Sequence, residues 1–113
     1  MAMQPVHSSL PSSDVFRALA DPTRRAVFER LAQGEQSVSA LRAGFEVSQP
    51  AISQHLAALK SAGLVAERRE GRFAYYRVAP EGLDPLLTWL DRYRAWWPAR
   101  IAALKDVLKG LEP

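Results

Sequence analysis

The chain changes its hydrophobic period from helical to strand-like across Gly63, and that change limits the folds open to it. From Ser48 to about Ala62 the apolar residues Ile52, Leu56 and Leu59 recur at helical spacing. At about 100° per residue they fall within about 40° of one face. Beyond Gly63 the chain is rich in Val, Tyr and Phe. It reads as two strands, Leu64 to Arg69 and Phe73 to Val78, around the turn Glu70-Gly71-Arg72. Alternation puts Ala74, Tyr76 and Val78 on the face that covers the helices, with Phe73, Tyr75 and Arg77 opposite. A helix stopped by glycine therefore feeds directly into a hairpin.

Upstream, polar caps punctuate shorter helical patterns. Met1 to Ser13 is rich in Ser and Pro, lacks periodicity and reads as a disordered arm. Ser13 or Asp14 can cap a first helix carrying Val15, Phe16 and Leu19. Asp21-Pro22 restarts helix, because Pro lacks the N–H that would be unpaired at the first position. Its apolar face is Ala26, Val27, Phe28 and Leu31, and Gly34 is its expected end. Ser37 caps a third helix with Val38 and Leu41 inward; Gly44 closes it, and Phe45 and Val47 plug the turn. From about Pro80 to Leu111 a long helical pattern runs to the end, with Pro98 expected to kink it or start a second helix.

At 113 residues this is one domain, mainly α with a small β-hairpin: a winged helix-turn-helix. The expected division is an arm at 1–13, a core at 14–79 and a dimerising terminal helix at 80–113 within the same domain. In this arrangement the helix from Ser48 lies in the major groove of DNA. Its outward side carries Pro50, Ser53, Gln54, Ala57 and Ser61, small and mostly uncharged. A face meant only for water usually carries Glu and Lys. Small residues with hydrogen-bonding tips suit a groove ~12 Å wide. Gln54 can read adenine through a bidentate pair, and Ser53 can contact a base or a phosphate. Ser48 and Gln49 sit where free N–H groups favour a phosphate. The same residues also suit an ordinary capped helix, and the flanking short helix and hairpin favour the DNA reading. His55, at the border of core and groove, is either packed or touching phosphate.

Charge points the same way. Between Arg42 and Arg77 six basic residues (Arg42, Lys60, Arg68, Arg69, Arg72, Arg77) face three acids, whereas the rest of the chain has nine of each. A polyanionic partner for this segment is expected. Lys60 and the wing residues Arg68, Arg69 and Arg72 join the candidate DNA contacts, Arg72 at the tip foremost. Glu67 and Glu70 can equally pair some of these arginines in a solvated turn.

Other chemistries find little support. The chain has no cysteine, which excludes disulfides and thiolate metal sites. It has no apolar run of ~18 residues and shows no basic-then-apolar secretory leader, so a cytoplasmic location without membrane partners is expected. Ser53 and His55 point apart on one helix, and no phosphate loop or ligand cluster is present, so neither catalysis nor a cofactor or metal is expected. In the terminal helix, Leu87, Leu90 and Tyr93 precede a 4-3-4-3 spacing at Trp97, Ile101, Leu104, Leu108 and Leu111, a heptad seam. A symmetric homodimer would cover it and present two reading helices to a palindromic operator. The aromatics could instead line a small-molecule pocket, and the apolar helix could instead dock another protein, making the chain an adaptor without specific DNA binding.

Leu19-Ala20-Asp21-Pro22-Thr23-Arg24-Arg25, Val47-Ser48-Gln49-Pro50-Ala51-Ile52-Ser53-Gln54-His55-Leu56, Ala62-Gly63-Leu64-Val65 and Gly71-Arg72 leading to Tyr76-Arg77-Val78 resemble the ArsR-type (ArsR/SmtB) winged-helix repressors of bacteria. The likeness covers about Asp14 to Val78 and is looser beyond. It implies a homodimer built from the first and last helices, bringing Val15, Phe16 and Leu19 into the interface, and repression of a promoter that often includes the protein's own gene. Metal-sensing members carry cysteines in the third helix; here Ser37 and Ser39 occupy that stretch, and Ser is a poor ligand for such metals. Others use His on the last helix, which here has none. The stretch Trp89 to Ile101 resembles a metal-free subgroup, for which the likeness names no effector.

Overall fold

A computed structural model describes residues 11–96 and 98–110, with the side chains at 11, 12, 101, 104, 105 and 108 left out. The elements run α1 (Pro11–Ala20), α2 (Pro22–Leu31), β1 (Gln36–Ser37), α3 (Val38–Ala43), α4 (Gln49–Ser61), β2 (Val65–Glu70) and β3 (Phe73–Val78). A 3-10 turn (Pro80–Leu83), α5 (Asp84–Asp91), a second 3-10 turn (Arg94–Trp96) and α6 (Pro98–Gly110) follow. The mainly helical winged helix-turn-helix expected from the sequence is the fold observed.

Side-chain caps set three helix starts. The Asp21 carboxylate accepts from Arg24 N–H at 2.7 Å, with Pro22 next in the chain. The Ser37 and Ser48 hydroxyls accept from Ala40 N–H at 3.1 Å and Ala51 N–H at 3.3 Å. Each satisfies a donor the first helical turn leaves orphaned. At its other end α4 stops in a Schellman motif: Gly63 N–H donates to Lys60 C=O at 3.0 Å and Leu64 N–H to Leu59 C=O at 3.0 Å. That closure needs φ of +79° at Gly63 and turns Leu64 straight into the core.

The core is assembled by Val15 and Ala18 of α1, Val27 and Leu31 of α2, Leu41 of α3, Ile52, Leu56 and Leu59 of α4, and Leu64 and Val65, each at most 4% exposed. Phe45 and Val47 pack against it from the α3–α4 turn, as expected, and Tyr76 and Val78 from β3. The hairpin pairs Val65 with Val78 through Glu70 with Phe73, leaving a two-residue loop. Gly71 takes φ of +61° while Arg72 does not, the II′ pattern that matches strand twist. The sheet order is β1-β3-β2. β1 was not foreseen: Gln36 pairs with Tyr76 and Ser37 with Tyr75, a match between distant segments.

Four expectations are corrected. Helix is already formed at Pro11, so Ser13 and Asp14 lie inside α1 and do not cap it; residues 1–10 of the expected arm lie outside the described residues. α2 ends at Leu31, before Gly34, which sits in the following turn. Val15, assigned to a dimer interface, is spent on the protein's own core. The long terminal helix is broken into pieces. Helix already stops at Asp91, a 3-10 turn intervenes at Arg94–Trp96, and α6 opens with Pro98 as its first residue, the second of the two outcomes expected there, where a missing N–H costs nothing.

Replacing Gly63 by Ala forces a Cβ into the left-handed region and should cost about 1–2 kcal/mol. A lowered denaturant midpoint at unchanged m-value would register it.

Candidate nucleic-acid interface

Burial of Ile52, Leu56 and Leu59 fixes the rotation of α4 and turns its opposite side outward. Ser48, Gln49, Pro50, Ser53, Gln54, Ala57, Lys60 and Ser61 are all exposed there. Nothing within the described residues lies over that face. Because Ser48 caps the helix with its own hydroxyl, backbone donors and a polar surface meet at the end where a phosphate binds best. His55 departs from this face. It is half-buried against α2, its Nδ1 4.0 Å from the capping carboxylate of Asp21, so it occupies the packed position of its two possible ones.

The hairpin stands beside α4. Between them lies an open groove of ≈ 350 Å³ whose walls include Gln49 and Ser53 from α4 and Glu67, Arg69, Arg72 and Phe73 from the hairpin. The groove thus brings together four of the residues expected to contact a duplex, Gln49, Ser53, Arg69 and Arg72, although they come from two separate elements.

The cations of this region are unequally available. Arg68 gives two bonds to Glu35, Nη2 to Oε1 at 2.8 Å and Nε to Oε2 at 3.3 Å. It also reaches Glu70 at 3.3 Å and stacks over the Tyr75 ring at 4.6 Å. Its hydrogen bonds hold the Glu35 carboxyl below the ordinary carboxylate range and push Arg68 further upward. Lys60 Nζ donates to Glu67 Oε1 at 2.9 Å, and Arg69 Nη2 lies 3.4 Å from Glu67 Oε2. The Lys60 bond lowers Glu67, and Lys60 is raised in turn. Burial, and then the charge of Glu67, push the Tyr76 hydroxyl upward. Among the described residues Arg72 and Arg77 make no ion pair. The pairing by Glu67 and Glu70 was foreseeable from proximity. Glu35 was not, since it meets Arg68 across 33 residues and only through the β1–β3 pairing.

On the other side of the molecule, Phe16 packs edge-on against Trp89 at 5.2 Å, Trp89 against Tyr93 at 5.1 Å, and Tyr93 against Trp96 at 5.1 Å. The ladder fastens α5 to α1 yet stays open to solvent: Phe16 is 41% exposed, Leu87 59% and Trp96 76%. Leu90 and Tyr93 are half-buried, and Leu19 packs partly on the core. Trp97 and the side chains of Ile101, Leu104 and Leu108 lie outside the described residues. Among the described residues no three His, Asp or Glu side chains converge as a metal site.

Residues 19–68 match a family model described as a helix-turn-helix domain. The chain is 50% identical over 78 residues to the HTH-type transcriptional regulator Rv2034 of Mycobacterium tuberculosis, spanning 69% of this chain and 73% of that protein. It is 35% identical over 78 residues to the transcriptional repressor SdpR of Bacillus subtilis, spanning 69% and 87%. A solved ArsR-like transcriptional regulator from Rhodococcus sp. RHA1 superposes with a TM-score of 0.70 at 36% identity, covering 90% of this chain and 96% of that one. The chain belongs to the ArsR family of winged helix-turn-helix regulators. As an ArsR-family member it is a DNA-binding transcriptional regulator, and the exposed side of α4 is the surface that agrees with this.

The depressed carboxyls give a pH signature. A carboxyl lowered by folding stabilises the fold above its ordinary range, and that contribution is lost as pH falls through the folded value. The Glu35 and Glu67 pairs should therefore hold stability steady from pH 7 to about 5, and release it below the ordinary value of 4.5. Melting temperatures taken across pH, with Glu35→Gln alongside, check this; the variant should lose part of the acid dependence.

Proposed function

We propose that this regulator is a homodimeric repressor that binds a palindromic operator in the cytoplasm, with α4 in the major groove and the wing on the backbone or in the minor groove. The observation that carries the reading is the uncovered, small-residue side of α4 between Ser48 and Ala57. Ser48, Gln49 and Pro50 meet the backbone at the helix start, Ser53 and Gln54 face base edges, and Ala57 permits close approach. Arg72, at the hairpin tip and outside any ion pair among the described residues, serves the phosphate or the minor groove. Repression is supported by SdpR, which bears that name, and by the arsenical resistance operon repressor of Escherichia coli, 40% identical over 67 residues.

A second copy of the chain is the partner that the aromatic ladder supports. Phe16, Leu87 and Trp96 leave apolar surface in water that a symmetric interface through α1 and the terminal segment would cover. We also place the chain in a group that does not sense metal at the family's usual positions. Ser37 caps α3 with its hydroxyl and Ser39 is exposed on it, and oxygen donors of this kind hold soft metals poorly.

Replacing Gln54 by Ala should cost ~1–3 kcal/mol of operator binding and relax sequence preference, whereas Arg72→Ala should weaken all sequences alike and lower the salt slope by about 1. Titrating DNA from upstream of the gene, and random DNA, across a salt series separates these effects. If neither substitution changes binding, the docking proposed here is wrong. Light scattering on the eluting protein should give about twice the chain mass of 12.6 kDa, and Trp96→Glu should shift it toward the monomer. A stable monomer for the unaltered chain would remove the two-fold operator from the reading.

A further inference from the structure

Building on that reading, we propose that Glu67 is a positioning residue that restrains Arg69 from the DNA backbone and so limits how strongly the groove attracts a duplex of any sequence. An acid is an odd occupant for a groove that receives phosphates, because like charges facing one another weaken binding. Yet Glu67 lines this groove beside Gln49, Ser53, Arg69 and Arg72, and its side chain is only 15% exposed.

Its two oxygens serve two different cations. Lys60 Nζ, on the last turn of α4, fixes Oε1 at 2.9 Å, while Arg69 Nη2 is drawn to Oε2 at 3.4 Å. The Tyr76 hydroxyl lies beside the same carboxylate from the neighbouring strand. Lys60 thus anchors the acid, and the anchored acid holds the arginine. Arg69 itself is 73% exposed and otherwise unrestrained among the described residues, so its guanidinium has the freedom to reach a phosphate once released. Arg72 shows the contrast, since it shares the groove but has no acid at its side.

A contact to phosphate strengthens random and cognate DNA together and carries no sequence information. Holding Arg69 back therefore reduces the part of the affinity that does not discriminate. The arrangement is also adjustable, because an exposed ion pair is weak and a single neutral substitution at Glu67 releases the arginine.

The test titrates the full chain with a fluorescent random-sequence duplex across a salt series, with melting temperatures recorded for each variant. Glu67→Gln should strengthen random-duplex binding severalfold at low salt and steepen the log–log salt slope by about one unit. Adding Arg69→Gln to that variant should return the slope to its original value. If Glu67→Gln does not fold, Lys60→Met/Glu67→Met carries the same test, since an apolar pair can replace an ion pair with little loss of stability; it should show the same steepening. A slope that stays level or becomes shallower in a folded variant overturns the proposal, because Arg69 would then already be on phosphate or never reach it. Failure of the DNA reading itself would look different: the unaltered chain would show no preference for upstream DNA.

Discussion

Everything the DNA-facing side can do depends on the burial of one ridge, Ile52, Leu56 and Leu59, beneath α1, α2 and α3. Each of these side chains contributes roughly 1.5–3 kcal/mol when fully buried, and together they allow α4 a single rotation. Rotation by one residue would expose part of the ridge and bury Ser53 or Gln54 without partners, which costs on both counts. Helix geometry then gives the opposite side no choice but to face solvent. Caps at Ser48 and Gly63 fix where this rod begins and ends, so its N-terminal donors and its polar tips occupy set heights along the groove.

Charge in this region is organised rather than merely accumulated. The surplus of basic residues between Arg42 and Arg77 overstates what a duplex would meet, because acids occupy Arg68, Lys60 and Arg69. Glu35 pins the wing through Arg68, which also lies over Tyr75, so the hairpin is braced against β1 about midway along its strands. What remains unengaged among the described cations of the hairpin is Arg72 at the tip and Arg77 on the outer face. Separating braced from available cations gives the wing both a fixed stance and a usable charge.

The terminal segment solves a different problem. Leu83 and Leu86 pack on the main core and so tie the start of this segment to it. Beyond them the aromatic ladder from Phe16 to Trp96 joins α5 to α1 but leaves its outer edges wet. Intramolecular packing and a surface for association are thus built from the same residues. The break falls between Asp91 and Pro98, so the backbone of Ile101, Leu104 and Leu108, the expected heptad positions, stays within the single helix α6.

Local chemistry made much of this protein legible from its residues. Capping side chains at Asp21, Ser37 and Ser48, the glycine stop at Gly63, the turn at Gly71 and the apolar ridge of α4 act over a few residues, so spacing alone exposed them and the outward face they imply. Tertiary structure decided whatever depended on distant partners: the pairing of Gln36 and Ser37 with β3, the grip of Glu35 on Arg68, the withdrawal of Val15 into the core and the seating of His55 against Asp21. Those contacts join segments tens of residues apart, and no local pattern encodes which of several compatible neighbours will arrive once the chain has closed around its core.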